Sequence, residues 1–521
     1  MIAIVVSRAD RASEHIGTQL LEIDEWDAFV DETRSDAEGG GTVHRRPGAE
    51  LRTFEDLHIY LDDPTPAFGT VTSPVDDVEA PDAHRLSDRA PDLLVFVSRH
   101  AGETGPLLTA HFTGNFGPAE YGGEDGAFAR AAPAAQKRLV AGFDAYAPAE
   151  YDVGIECTHH GPSGTAVPSL FAELGSGDEQ WDDPEGARAV ARAVSDLIDD
   201  HLDVSDDTVA ATSTESTEPT ESTEPTELTE PTELTEPTEP VDSATPADIV
   251  GEDGNTRHVV GFGGGHYAPR FTRIVEETAW GVGHIGSDWQ LAELGSPTEN
   301  VDVIDRAFAA SAAEYAVIEG DRPALRETID ELGYRVVGET WVREVGDRPL
   351  ALVERLEADV ATVEDGLRFG DVVPASPAAV TVRELPPDLL SRAQGIDHEA
   401  TREVVERHTV AFETEESGTR AVGRAAFAPD AVDAGTDAAD GYDALVRALA
   451  NVLRERFGDV TVTADAVIAS ERAFDPDLAA EHGVPEGPKF GRLTAGDAVE
   501  VGDRTVTPED VTRDRDVRFP R

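Results

Sequence analysis

With 521 residues, 39% of them hydrophobic, the chain exceeds what one ordinary core organises, and two or three domains are expected. Acids outnumber bases 105 to 42, a formal charge of −63 that runs through every predicted helix, and only Lys137 and Lys489 among the bases are lysine. Such a surface suits concentrated salt, where the Debye length shrinks to ~3 Å at 1 M; in dilute salt it would argue against a nucleic-acid partner, but here it excludes none.

The chain opens on Met1-Ile2-Ala3-Ile4-Val5-Val6-Ser7-Arg8, which lacks a basic flank and a long apolar region and reads as a first β-strand, not a signal peptide. No apolar run reaches the roughly 18 residues of a membrane-spanning helix. The single cysteine, Cys157, excludes an internal disulfide and fits a reducing cytoplasm. Residues 1–202 read as an α/β domain, with strands at 2–7, 57–61, 93–98, 107–112, 153–158 and 169–174 and helices at 11–21, 133–146 and 184–202. The polar, Gly-rich stretch 33–50 reads as an exposed loop, as does 63–89.

Residues 204–248 are low-complexity, with a Thr-Glu-Pro repeat at 217–222, 223–228 and 229–234. Proline at every sixth residue or closer, with almost no apolar side chain, predicts a disordered, solvated insertion. Order returns at His258, with strands at 259–262, 280–285, 315–319 and 334–339 and helices between them. The same βα alternation on both sides makes the insertion, bounded at 204–254, a loop within one domain of residues 1–343. Residues 344–521 change texture: strands at 380–385 and 460–469, an amphipathic helix at 442–457, a loop-like 420–442 and a β-rich tail at 487–511 predict an α+β extension. His398, His408 and His482 are isolated there, and no catalytic constellation is visible.

The chemistry concentrates in clusters where a strand ends in histidine beside small or hydroxyl residues. They are Ser98-Arg99-His100, Thr109 to Asn115 around His111, Glu156-Cys157-Thr158-His159-His160-Gly161-Pro162, Gly264-Gly265-His266-Tyr267 and Gly283-His284. If the strands are parallel neighbours their ends share one edge and the histidines converge, as a zinc or general-base site requires. Gly263-Gly264-Gly265 between a strand and a helix could cradle an anion, but it is neither G-x-G-x-x-G nor a P-loop.

These clusters, with Ala119-Glu120-Tyr121-Gly122-Gly123, Glu173-Leu174-Gly175-Ser176 and Gly263 to Pro269, resemble the archaeal and plant type of D-aminoacyl-tRNA deacylase over roughly 1–202 and 255–340. The resemblance implies a three-layer α/β/α fold with a mixed sheet, akin to zinc exopeptidases and peptidyl-tRNA hydrolases. It also implies zinc dependence and cleavage of the ester joining a D-amino acid to tRNA. The segment Gly487-Pro488-Lys489-Phe490-Gly491-Arg492-Leu493 is similar to part of tRNA 3′-end-processing metallo-hydrolases, a second pointer to tRNA.

On that resemblance the expected zinc ligands are His100, His111, His160 and His266, with His159 and His284 as substitutes. Glu156 is the first choice as general base, with His159, Thr113 and Asn115 also assigned to catalysis. Gly264, Gly265, Tyr267, Lys137 and Arg138 are expected to bind substrate, the last two through tRNA phosphate. Cys157 stands as an alternative nucleophile. The expected protein is a cytoplasmic, monomeric hydrolase of D-aminoacyl-tRNA that binds neither DNA nor membrane. The alternatives are a zinc-dependent amidohydrolase or peptidase and a non-catalytic tRNA-binding protein.

Overall fold

Strand β1 (Ile2–Ser7) is buried on both faces, as its unbroken apolar sequence requires. Ile2, Ile4 and Val6 enter one apolar cluster, while Ala3 and Val5 enter another on the opposite face. In this computed structural model residues 1–69, 73–74, 90–212, 257–428 and 441–521 are described, the side chains of 73–74 and 202–212 excepted. The chain divides into two units, Met1–Gly346 and Asp347–Arg521.

The first unit is built on a nine-stranded mixed sheet. Its strands are β1, β2 (Asp27–Asp31), β3 (Gly41–Arg46), β4 (Ala49–Phe54), β5 (Ser73–Pro74), β6 (Leu93–Arg99), β7 (Leu107–His111), β8 (Asp152–Ile155) and β9 (Ser169–Gly175), in the order β5-β2-β3-β4-β1-β6-β9-β7-β8. Strands β1, β4, β6 and β9 run parallel, whereas β7 is antiparallel to β9 and carries β8 parallel to itself. Helices Arg11–Ile23, Pro133–Tyr146 and Pro184–Thr212 share one apolar cluster with this sheet. A separate sheet holds four parallel strands, β10 (Arg257–Phe262), β11 (Trp280–Gly286), β12 (Tyr315–Ile318) and β13 (Arg335–Val337), in the order β11-β10-β12-β13.

Two expectations fail here, the first because buried charges compensate one another. Residues 33–50, expected as an exposed loop, contain β3 and lead into β4, which pairs directly with β1. Their charges are buried because they compensate one another: Arg45 Nε lies 2.9 Å from Glu50 Oε2, Arg52 Nε 2.5 Å from Glu50 Oε1, and Arg52 Nη1 2.6 Å from Asp31 Oδ2. A paired, hydrogen-bonded ion can sit where an isolated one cannot. The strand expected at 57–61 is a 3₁₀ turn, His58–Tyr60.

The second unit is α+β. Strands Leu367–Phe369, Ala411–Glu415, Arg420–Phe427 and Thr381–Glu384 form one antiparallel sheet in that order, and Asp459–Val462, Ala466–Phe474 and Thr512–Pro520 form another. Helix Gly441–Leu453 buries Leu445, Val446, Leu449 and Leu453 in the core of this unit. Strand Arg420–Phe427 replaces the first part of the loop expected at 420–442. Helix Pro184–Thr212 continues past the expected start of the insertion at 204. The Thr-Glu-Pro repeat itself lies outside the described residues, as do residues 429–440. Among the described residues no helix is long and apolar enough to cross a membrane.

Candidate active site

Strand alternation assembles the site. In the register of the nine-stranded sheet Ser98 on β6 and Thr109 on β7 both lie opposite Glu173 on β9, and His111 lies opposite Phe171. Residues directly opposite, and residues two apart, share a face. Ser98, His100, Phe171, Glu173 and His111 therefore converge on one side of the sheet. The expected convergence of strand ends on one edge of parallel neighbours is thus not how the site forms. Strand β7 runs against β9, and His111 arrives beside the middle of that strand.

The remaining groups come from loops that follow strands. Glu156 follows β8 and is anchored by its N–H, which donates to the Ala110 carbonyl at 3.1 Å. His266 follows a turn whose Gly263 has φ +95°, and a Cβ there would sit 2.4 Å from the Glu319 carbonyl oxygen. Glu156 is the hub. Its Oε2 lies 2.7 Å from His266 Nε2 and 3.8 Å from His159 Nε2, and its Oε1 lies 3.0 Å from His100 Nδ1. Glu173 is the second carboxylate, accepting from Ser98 Oγ at 2.7 Å and lying 3.5 Å from His100 Nδ1 and 3.4 Å from His111 Nε2. Sequence reasoning gave Glu173 no role. Its signal was a lone carboxylate inside the otherwise uncharged strand Ser-Leu-Phe-Ala-Glu-Leu-Gly, a residue type rarely buried without a partner.

The imidazoles divide into two electrostatic classes. Burial alone would lower His100 and His266, but the groups they face, Glu156 and Glu173 for His100 and Cys157 and Glu156 for His266, raise them to about 11 and about 10 respectively. Burial pushes His160 down to about 4 and His159 well below the usual histidine range, with His111 adding to both shifts. Burial would also lower His111, yet Glu173 outweighs it and raises that ring. Both carboxyls would be raised by burial and are instead held well below the usual range by histidines, chiefly His100 and His266 at Glu156 and His111 and His100 at Glu173.

The donor set fits a metal. Nδ1 of His111, His159 and His160 lies 3.1, 2.8 and 2.7 Å from the carbonyl oxygens of Phe112, Cys157 and Gly161. A carbonyl can only accept, so each Nδ1 carries the proton; Nε2 of His159 and His160 then presents a lone pair, and His111 Nε2, facing Glu173 Oε1 at 3.4 Å, presents one when that ring is neutral. One nitrogen from each of these three rings lies within 4.8 Å of the others. His111 Nε2 and Glu156 Oε1 are buried and make no well-formed hydrogen bond, their nearest polar neighbours being Glu173 Oε1 at 3.4 Å and His100 Nδ1 at 3.0 Å, and a bound cation would complete both. Two further groups meet the same spacing, Cys157 with His159 and His266, and His100 with Glu156 and Glu173.

Not every expected residue joins the site. His100, Asn115, His159, His160, Glu173 and His266 line a cavity of about 440 Å³. Thr113 is buried with its hydroxyl donating to the Pro162 carbonyl at 2.5 Å, so it is not a catalytic donor. The Asn115 amide nitrogen donates to the carbonyls of Gly122 and Glu124, holding a loop and not an oxyanion. The Gly264 N–H is taken by Asp288 Oδ1 at 2.8 Å, which removes it as an anion donor, while Gly265 faces open space. Tyr267 does reach the site, its hydroxyl 3.3 Å from His100 Nε2. Lys137 and Arg138 do not line the cavity: the ammonium of Lys137 donates to the Val275 and Thr278 carbonyls at the end of helix Pro269–Glu277, and Arg138 lies 3.6 Å from Asp200. An ammonium there complements a helix C-terminus.

His284 is engaged elsewhere too. It is fully buried, with Nε2 donating to the Ala129 carbonyl at 2.9 Å and Nδ1 3.0 Å from Thr158 Oγ1. Burial lowers its pKa to about 4. The unfolded ring titrates near ~6.5, so as pH falls from there towards 4 the unfolded state takes a proton that the folded state refuses, and stability is lost. We expect His284→Asn to flatten the pH dependence of unfolding free energy between pH 7.5 and 5 by about 2 kcal/mol. An unchanged slope in denaturant titrations would show that His284 contributes none of it.

The site can be set beside known proteins. A family model described as D-aminoacyl-tRNA deacylase matches residues 87–214 and 237–337. A protein of Halorubrum lacusprofundi named D-aminoacyl-tRNA deacylase is 56% identical over 520 residues, covering 100% of this chain and 97% of its own. Proteins of the same name from Natronomonas pharaonis and Methanoregula boonei are 46% and 31% identical, covering 100% and 81% of this chain and 100% and 83% of their own. The first two matches run through the second unit, which these relatives therefore share. A crystal structure of a conserved protein of unknown function aligns over 66% of this chain and 96% of its own, with 23% identity and a TM-score of 0.46. Identity of this level over the whole length leaves one assignment: the chain belongs to the D-aminoacyl-tRNA deacylase family.

Proposed function

We propose that this protein hydrolyses the ester between a D-amino acid and tRNA at the cavity between Glu156, Glu173 and the five histidines around them. The observation that carries the mechanism is the pairing of His100 and His266 with the buried carboxylate of Glu156, beside a triplet of rings each with one nitrogen within 4.8 Å of the others. In this reading His111, His159 and His160 would hold zinc. When bound, zinc supplies a Lewis acid that polarises a carbonyl and activates water.

The chain's own residues then handle the proton. His266 lies on the cavity wall with its charged form stabilised by Glu156, so it can donate to the acyl oxygen as negative charge develops. Hydrolysis adds the water oxygen to the acyl carbon and breaks the bond to the ribose oxygen. His266 protonates that leaving oxygen, and the proton of the consumed water restores the ring. Glu156 is too strongly held by its partners to be the general base first expected. It orients His266 and His100.

Cys157, His266 and Glu156 stand in the order of a nucleophilic triad, with Sγ 3.7 Å from His266 Nδ1. Cys157 has no exposed surface, however, and does not line the cavity. Cys157→Ser is therefore expected to keep activity within about threefold of the parent, whereas loss of about 10³-fold would transfer the role of nucleophile to the thiolate. The function itself is tested by offering D-aminoacyl-tRNA, L-aminoacyl-tRNA and D-aminoacyl peptides to the purified protein. Release of amino acid from the first alone is the expected result. Cleavage of the peptides would mean a peptidase, and no release would mean a binding protein.

A further inference from the structure

Among the described residues five large apolar side chains are exposed, and four of them are aromatics of the first unit: Tyr60, Tyr121, Trp289 and Tyr267, with 60, 65, 46 and 37% of their surface accessible. These four are not scattered. Tyr121 and Trp289 line the catalytic cavity, Tyr267 bonds to His100 inside it, and Tyr60 follows the cavity residue Ile59. Tyr60 also lies beside the Tyr121 loop, since a Cβ on Gly122 would come within 3.6 Å of its ring.

The rings are exposed while their backbones are fixed. The Tyr121 carbonyl accepts from the Gly161 N–H at 3.0 Å, and Asn115 Nδ2 holds the next carbonyl at 3.0 Å. Trp289 sits on the short helix Asp288–Leu294, whose Ser287–Gln290 capping box ties it to the Thr158 carbonyl. Rigid aromatic rings left in solvent around a substrate cavity are ligand surface, because elsewhere large aromatics of this unit are buried or half-buried.

The occupant follows from the deacylase reading, on which this inference rests. A cavity of about 440 Å³ has room for an aminoacyl group and one nucleoside, so the strand behind them must leave over the rim. That strand is the unpaired 3′ end of tRNA. A chain of charge −63 cannot recruit it by a field of basic side chains, and Glu120 and Glu293 line the cavity itself. Stacking of bases on aromatic rings needs no such field and contributes about 1–3 kcal/mol per base. The one Arg or Lys in the cavity wall, Arg99, is paired with no carboxylate among the described residues and rests on the Trp181 ring at 5.3 Å. In step with Val95 and Val97 on β6, its side chain lies on the helix-packed face of the sheet, the face opposite to that of Ser98 and Glu173, so it adds no basic field to the aromatic rim.

We infer that Tyr121 and Trp289, with Tyr60 beside them, form a stacking platform for the unpaired 3′-terminal bases of the tRNA.

The test uses the full chain in 2 M KCl. KM and kcat on D-aminoacyl-tRNA are measured for Tyr121→Ala, Trp289→Ala and the Phe replacements at both positions. Each Ala variant is expected to raise KM by about 5- to 100-fold with kcat kept within threefold, and each Phe variant to restore KM. In parallel the trinucleotide C-C-A, with no acyl group, is expected to quench tryptophan fluorescence in the parent and not in Trp289→Phe. If the parent cleaves D-aminoacyl-tRNA but the Ala variants keep their KM within twofold, the platform is overturned and the deacylase reading stands. If the parent does not cleave it, the deacylase reading fails, and the trinucleotide decides the platform alone: quenching through Trp289 upholds it, and no quenching overturns it.

Discussion

Removing metal from the purified protein is expected to abolish deacylation, and adding zinc back to restore it. Three imidazoles with Nδ1 held by backbone carbonyls each bring one nitrogen within 4.8 Å of the others, and two buried carboxylates, Glu156 and Glu173, stand beside them. The same reasoning makes His160→Ala and His111→Ala severe, by about 10³-fold or more in kcat/KM, some 4 kcal/mol of transition-state stabilisation. Metal content separates this from simple misfolding. Each substitution is expected to lower zinc bound per chain, measured by mass spectrometry, while circular dichroism stays unchanged. Glu156→Gln is a different case: it keeps the three-ring set but uncouples His266, so activity falls while bound zinc stays within about twofold. Full activity in a zinc-free preparation would end the zinc reading and leave the Glu156–His266 pair to act on water directly.

Much of this site was legible in the sequence because strand-end histidines are rare and chemically specific. His100, His111, Glu156, His159, His160 and His266 were all named from their clusters, and all meet in the structure. What could not be read was how they meet. Strand β7 reverses direction against β9, and nothing local to Leu107–His111 encodes that. Glu173 escaped assignment because its burial depends on Ser98, His100 and His111, contributed by two other strands. Thr113, Asn115, Gly264 and Lys137 look chemically able in sequence, and each is engaged by a backbone or carboxylate partner that only the fold supplies. The missed hairpin β3–β4 teaches the same lesson about charge. Arg45 and Glu50 read as solvent-facing in the expected loop and are core because they, with Arg52, neutralise one another.

That buried network also sharpens what salt should do. The Arg52 contacts to Glu50 and Asp31 are inaccessible to solvent ions and are barely screened at any ionic strength. Exposed pairs such as Arg11–Asp178 and Arg306–Asp302 are weakened by salt, but pairs of that kind contribute about 0–1 kcal/mol each. Against them stands the excess of 105 acids over 42 bases, whose mutual repulsion operates wherever screening is weak. Lowering salt from 1 M to 0.1 M lengthens the Debye length from ~3 Å to ~10 Å, so each carboxylate meets neighbours it did not feel before. Repulsion grows faster than attraction because most acids have no base to pair with. We therefore expect the unfolding temperature to rise by about 10 °C or more between 0.1 M and 3 M KCl, with about 2–4 °C corresponding to each kcal/mol for a unit of this size. The same screening relieves repulsion of the tRNA polyanion, while a stacking platform loses nothing to salt. KM for D-aminoacyl-tRNA should then fall or stay level across that range, where a basic tRNA-binding surface would lose affinity steeply. Thermal unfolding that is flat or worsens with KCl would remove the link between this acidic surface and salt. A KM that climbs steeply with KCl would instead show that ionic contacts to phosphate dominate binding.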